Sequence, residues 1–130
     1  MSFERIERVE THVAAADLRT KQGYIVKLST TDTIDVSSSA ALAYGVLLDK
    51  PNTGEQGNVA PCGSGGIARV VCDGSGTAIA VGDFIKSHTD GTGIKGATDK
   101  DRVIGRAREA CTVAGQLVAV DLGFARDLAA

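Results

Sequence analysis

A chain of 130 residues with 14 basic and 16 acidic side chains carries a net charge of −2, which gives no electrostatic footprint for nucleic acid or an anionic membrane. Its length suits one domain that buries about two-thirds of the unfolded chain's surface on folding. Apolar residues make up 43% of the chain but aromatic ones only 4%, and tryptophan is absent, so the core is expected to be built from Val, Ile, Leu and Ala. Such a core is thin per residue, which leaves room for partner subunits to supply part of the burial.

Nothing in the sequence reads as a membrane or export signal. The longest apolar stretch, residues 40–48, is too short to span a bilayer. Met1-Ser2-Phe3-Glu4-Arg5 lacks the apolar run of a signal peptide, so the chain is expected to stay in the cytosol where it is made. Cys62, Cys72 and Cys111 are an odd set with no C-x-x-C pair, which fits reduced thiols, and each lies in or beside an apolar run as a small core residue would.

In chain order, residues 3–13 are the first segment and the one unlike the rest. Phe3, Ile6 and Val9 are spaced by three, with Glu4, Arg5, Glu7, Arg8 and Glu10 between them. That spacing admits a short amphipathic helix, but a terminus with so few sizeable apolar groups is better read as an extended or disordered arm over residues 1–13. A single β domain is expected over residues 14–130. Gly23-Tyr24-Ile25-Val26-Lys27-Leu28 reads as a strand, and Thr33-Ile34-Asp35-Val36-Ser37 alternates as a half-buried strand does. Residues 37–43 are small and suit a loop or one helical turn. Strands follow near Val46, Val59, Val70, Phe84, Ile94, Ile104 and Val118, separated by turns such as Pro51-Asn52-Thr53-Gly54, Asp73-Gly74-Ser75-Gly76 and Asp90-Gly91-Thr92-Gly93. Residues 102–110 are the one late segment with helical character, but Gly105 and the β-branched Val103 and Ile104 favour strand. Short apolar runs split by Gly and Asp, without an exact repeat, predict an all-β fold: a small antiparallel β-barrel or sandwich with an extended N-terminal arm.

The motifs that carry chemistry elsewhere fail on inspection. Gly91-Thr92-Gly93-Ile94-Lys95-Gly96 matches G-x-G-x-x-G, yet residues 97–101 do not continue as a helix, so a hairpin turn is the better reading. Cys62-Gly63-Ser64-Gly65-Gly66 has Cys where a nucleophile elbow needs its first Gly, and reads as a flexible loop. His12 and His88 are expected at the surface, since nothing has structural-zinc spacing. Asp99 and Asp101 lack the Gly and distal Glu of a calcium loop and read as a solvated turn. In Val81-Gly82-Asp83 the Asp is expected to bond backbone N–H groups as the chain turns into the Phe84-Ile85-Lys86 strand. No catalytic residues, metal ligands or cofactor are predicted.

The order of these signals over residues 14–122 resembles the small capsid cement, or decoration, proteins of tailed bacteriophages and prophages. The resemblance rests on Ala16-Asp17-Leu18 with Gly23-Tyr24-Ile25-Val26, on Gly45-Val46-Leu47-Leu48-Asp49-Lys50-Pro51-Asn52-Thr53-Gly54-Glu55, on Ala80-Val81-Gly82-Asp83-Phe84-Ile85 with Asp90-Gly91, and on Ile104-Gly105-Arg106-Ala107 with Ala114-Gly115-Gln116-Leu117-Val118. Residues 45–55 are its most specific part, and residues 3–13 and the three Cys lie outside it. It implies a non-enzymatic β protein on the outer face of the virion head, made in the bacterial host cytoplasm, that bridges major capsid protein subunits. It also implies a homo-oligomer, commonly a trimer, although similar proteins include dimers and monomers; the near-neutral charge and short apolar stretches predict no nucleic-acid or membrane partner. Phe3, Ile6 and Val9 on the arm, Asn52, Thr53 and Glu55 in one loop, and Asp90 and Thr92 in another are the expected contact residues, chosen because these segments are expected to project. The rival reading is a small bacterial ligand-binding or enzymatic β-barrel, and a phage tail or adaptor β-domain is a third.

Overall fold

The computed structural model describes residues 4–29, 32–96, 102–124 and 126–127. They form two curved sheets pressed against each other. The first is a closed barrel of β2 (Glu10–Ala14), β4 (Thr33–Val36), β3 (Ile25–Leu28), β5 (Gly45–Leu47) and β6 (Gln56–Pro61), in that order around the ring. The second is six-stranded, in the order β1 (Arg5–Ile6), β7 (Gly66–Asp73), β12 (Ala114–Asp121), β11 (Gly105–Ala107), β8 (Phe84–Ser87) and β9 (Gly93–Lys95). A parallel pairing of Gly93 with Cys72 brings β9 back onto β7, so this sheet also curls round on itself. A small ladder joins β10 (Arg102–Val103) to β13 (Arg126–Asp127), and single 3-10 turns occupy Ala40–Leu42 and Leu122–Phe124.

The apolar doublets of the sequence explain why two layers form. Successive side chains of a strand point to opposite faces. In Ile25-Val26, Val46-Leu47 and Val59-Ala60 both members are buried, so both faces of these strands must be covered. Val26, Leu47 and Val59 fill the barrel with Ala14, Leu18 and Ile34. Ile25, Val46 and Ala60 turn outward and join the core of the second sheet, which includes Val70, Ile79, Ile85, Ile104, Val118, Val120 and Leu122. The two sheets therefore share one continuous apolar contact.

The N-terminal segment corrects one expectation. It is not an arm separate from the β domain. Arg5 and Ile6 pair with Ile67 and Gly66 of β7, and Glu10 to Val13 pair with Val59 to Gln56 of β6. The expected boundary between residues 13 and 14 falls inside β2. Spacing by three also fits a strand interrupted by a bend, and pairing with two sheets supplies the order that three side chains could not. Phe3 lies outside the described residues. Close approach at this junction needs Gly66: its φ is +78° and a Cβ there would stand 2.2 Å from the Arg5 carbonyl oxygen.

Other expectations meet their counterparts. Residues 102–107 form two short strands, residues 40–42 a single turn of helix, and residues 88–92 the turn of the β8–β9 hairpin. Asp83 accepts the Ala80 N–H at 2.8 Å, as its position after Gly82 suggested. Cys72 and Cys111 are buried in the core and Cys62 packs against it. Asp99 and Asp101 lie outside the described residues.

Candidate partner-binding surface

A sheet edge offers unpaired backbone groups to a partner strand, and a closed barrel removes such edges. Here β7 shows how thoroughly they are used. Along one side it pairs with β12 from Ile67 to Asp73. Along the other it meets β1, then the Gly23 carbonyl, which accepts the Val71 N–H at 2.9 Å, then β9. The neighbouring β1 carries Glu4, Arg5, Glu7 and Arg8 in and around it, with Arg5 and Glu7 paired at 3.1 Å, a charged border that discourages strand addition. Faces and turns, rather than edges, are what this fold presents.

The expected contact residues other than Phe3, which is outside the described residues, fall in three separate segments. The turn at residues 52–55 is exposed at Thr53 and Glu55 and held rigidly. The Asn52 N–H donates to Glu55 Oε1 at 2.7 Å, the Thr53 N–H to Asn52 Oδ1 at 2.8 Å, and the Glu55 N–H to the Asn52 carbonyl at 3.0 Å. Two backbone bonds between Ala14 and residues 54 and 55 fix it to the end of β2. Val9 lies beyond the other end of that strand and is 51% exposed. It shares an outward face with Thr11 and Val13, and the facing Gln56 and Asn58 of β6 are exposed and uncharged as well. Thr11 donates to Asn58 Oδ1 at 3.0 Å across this pair. Ile6 is half-buried and packs on the main core, so it anchors the segment inward.

The turn at residues 88–92 does not project as expected. It docks on the first barrel, where the Gly91 carbonyl accepts the Ile25 N–H at 2.8 Å. A Cβ on Gly91 would stand 2.4 Å from Val36 Cγ1, and its φ of +82° suits glycine alone. Asp90 is exposed, but its carboxylate is turned back to the Thr92 N–H at 3.1 Å and hydroxyl at 2.6 Å. Thr92 itself is 6% exposed and offers no surface to a partner. The turn was chosen for its polarity, and that polarity is spent on its own fold.

One cluster was not foreseen. The inward-facing side of β2 carries Glu10, His12 and then Ala14, so the barrel's apolar interior ends in a polar plug. The Tyr44 hydroxyl donates to Glu10 Oε1, Arg8 pairs with Glu10 Oε2 at 2.7 Å, and His12 Nε2 lies 3.0 Å from Glu10 Oε1. The Tyr44 ring meets the His12 ring edge-on at 5.7 Å. The Tyr44 bond, then the His12 bond, hold the Glu10 carboxyl below its usual range. Burial, then the Glu10 bond, push the Tyr44 hydroxyl up to about 12. His12 is thus a part-buried member of a network, with a side chain 10% exposed, rather than a surface histidine. Burial alternates along Glu10-Thr11-His12-Val13-Ala14, but three polar residues followed by two apolar ones gave no alternation in the sequence itself to disclose it.

Burial raises the thiols of Cys62 and Cys72 to about 12, which keeps them protonated and poorly nucleophilic. No group of three or more His, Cys, Asp or Glu that could hold a metal occurs among the described residues. Between the sheets, Glu4, Gln22, Arg69, Leu48 and Leu117 border a cleft of about 110 Å³, and Val81, Gly82, Arg106, Arg108 and Asp121 line a wide, open depression of about 380 Å³, the latter at the lower end of the roughly 300–1,000 Å³ of ligand pockets. No helix among the described residues is long and apolar enough to cross a membrane.

A closed barrel packed against a second, curled sheet is a fold also seen in a solved phage structure. The crystal structure of the N base of head fiber gp8.5 in bacteriophage phi29 is similar to this chain with a TM-score of 0.68, 22% identity, and coverage of 92% of this chain and 96% of that one. No family model and no curated protein matches the sequence.

Proposed function

We propose that this protein is a non-enzymatic structural component of a phage virion, a cement or decoration protein that binds the outer surface of the capsid and bridges major capsid protein subunits. The observation that carries the reading is the likeness of fold, over nearly the whole of both chains, to the base of a phage head fiber. The rigid 52–55 turn and the uncharged outer face of β2 and β6 support it, because interface centres are depleted in charge. The inert thiols weigh against the rival enzymatic barrel. The protein acts as a homo-oligomer, a trimer or else a dimer, on the virion and is made in the host cytoplasm. Many modest contacts repeated over a shell force several interfaces to break before one capsid subunit leaves.

The experiment is thermal rupture of expanded heads with and without the protein at full occupancy, together with sedimentation of the free protein. A raised rupture temperature is expected. Equal rupture temperatures at full occupancy overturn the cement role, and a monomer both free and on the capsid overturns the oligomer.

A further inference from the structure

Beside β11 the second sheet carries the wide depression of about 380 Å³ lined by Val81, Gly82, Arg106, Arg108 and Asp121. Arg106 and Arg108 are both exposed, whereas Ala107 between them is buried. Alternation therefore puts the two arginines on one side of the strand, roughly 7 Å apart along it. Pairing fixes that strand. Arg106 stands opposite Phe84 and Asp121, and the Arg108 N–H donates to the Ala119 carbonyl at 2.8 Å. The Arg106 side chain is held as well: its guanidinium lies over the Phe84 ring at 5.4 Å, and its Nε donates to the Gly82 carbonyl at 3.2 Å. The turn at residues 80–83 is just as firmly set. The Ala80 N–H donates to Asp83 Oδ2 at 2.8 Å, the Gly82 N–H to the Ala107 carbonyl at 2.8 Å, and the Asp83 N–H to the Ala80 carbonyl at 3.1 Å. This rigid turn nevertheless holds Val81 68% exposed, the largest exposure among the described large apolar side chains. The two carboxylates nearest by are turned to the backbone. Asp121 Oδ1 accepts the Gly123 N–H at 3.0 Å, and Asp83 accepts the Ala80 N–H with Lys95 3.6 Å away.

We propose that this depression docks an acidic, extended segment of a partner protein, whose carboxylates meet Arg106 and Arg108 and whose aliphatic side chain meets Val81. Charge complementarity selects this occupant: the lining offers two guanidinium groups against one carboxylate that already accepts a backbone N–H. A guanidinium carries five N–H donors, so Arg106 can hold the Gly82 carbonyl and grip a carboxylate at once. Seated over Phe84, its planar fork loses little freedom on binding, and a preorganised arginine is the kind of side chain that anchors interfaces. A depression this open fits a chain segment laid across it better than an enclosed small ligand. The inference rests on the cement reading for the source of the segment, which is then the outer surface of the major capsid protein.

The test is an NMR titration of the free protein with a short peptide of alternating Glu and Val, and with the same peptide carrying Gln for Glu. The Glu peptide should shift the amides of Val81, Gly82 and Arg106 to Arg108, and the shifts should weaken as NaCl rises from about 0.05 M to about 0.5 M. Arg106→Gln and Arg108→Gln, both at exposed positions, should each weaken peptide binding about two- to fivefold. Arg106→Lys keeps the charge but not the planar fork and should recover only part of the loss. In parallel, occupancy of expanded heads should fall in the double Gln variant. No shifts, shifts confined to other residues, or an equal response to both peptides overturns the site, even where the native chain binds heads and the cement role stands. Shifts at the site in a native chain that leaves heads bare support the site and overturn the capsid as its partner. Dissociation of the oligomer by the double variant would place the acidic segment on a second copy and overturn the capsid as its source.

Discussion

The two layers solve the same problem with different material. The second sheet has an interior of aliphatic side chains and thiols, with Ile85, Ile104, Val118 and Val120 fully buried. The first barrel is smaller, and one end of its interior is occupied by Glu10, His12 and Tyr44 rather than by apolar groups. Below the range in which its buried thiols ionise, apolar packing is indifferent to pH, whereas a carboxylate bonded to a phenol and an imidazole is not. The difference places durability in one layer and sensitivity to solution conditions in the other, with the shared contact through Ile25, Val46 and Ala60 coupling them.

The largest effects should come from the cores themselves. Ile104→Ala in the second sheet and Leu47→Ala in the barrel should each cost about 2–5 kcal/mol in urea unfolding. Because the layers share buried contacts, both variants should still unfold in one transition seen alike by fluorescence of Tyr24 and Tyr44 and by circular dichroism. Separate transitions for the two layers would break the idea that one core unites them.

Smaller is the effect of prising the layers apart. Gly91→Ala puts a methyl 2.4 Å from Val36 Cγ1 at a positive φ, so a cost of about 1–3 kcal/mol is expected. Loss of protection should concentrate at Ile25, whose N–H bonds the Gly91 carbonyl. A variant as stable as the native chain would show that the docking of this turn is loose.

The polar plug should give about 1–2 kcal/mol in Tyr44→Phe, since the lost bond is to a charged acceptor that is partly solvated. Its pH signature has two limbs. The lowered Glu10 carboxyl contributes stability that is present above its unfolded value near 4.5 and is lost as pH falls. The raised Tyr44 hydroxyl contributes stability that is present below pH 10.0 and is lost as pH climbs toward about 12. Tyr44→Phe should shrink the alkaline limb, to which the buried thiols of Cys62 and Cys72 also contribute above pH 9.0, and weaken the acid one, whereas Ile104→Ala should leave both in place. Equal pH profiles for native chain and Tyr44→Phe would erase the contrast between the layers.

How far the sequence discloses all this depends on which forces act locally. Alternation and Gly-Asp turns are local, so the all-β fold, the β8–β9 hairpin and the role of Asp83 could be read directly. The doublets Ile25-Val26 and Val46-Leu47 were visible as strands, but that their two faces serve two different cores follows only from long-range packing. The charged run at residues 4–10 masked two strands whose order comes from partners at residues 56–59 and 66–67. Thr92 looked like surface because polarity was taken for exposure. Its hydroxyl finds the Asp90 carboxylate two residues away, which lets it be buried at low cost.

The smallest effect on stability should carry the most weight for function. Val9 just before β2 and Val13 on it point outward, 51% and 38% exposed, so replacing both with Thr removes apolar surface without touching either core. The unfolding midpoint should then shift by no more than about 0.5 kcal/mol equivalent. If the uncharged face of β2 and β6 rests on the capsid or on a neighbouring copy, occupancy of heads should fall several-fold, since partly desolvated apolar contacts at an interface centre carry much of its energy. Thr53→Ala, in the rigid turn beyond the other end of β2, should reduce occupancy too if that turn reaches the same partner. Full occupancy by the Val9→Thr, Val13→Thr double variant, with stability unchanged, would remove this face from the contact and leave the 52–55 turn as the surface to test.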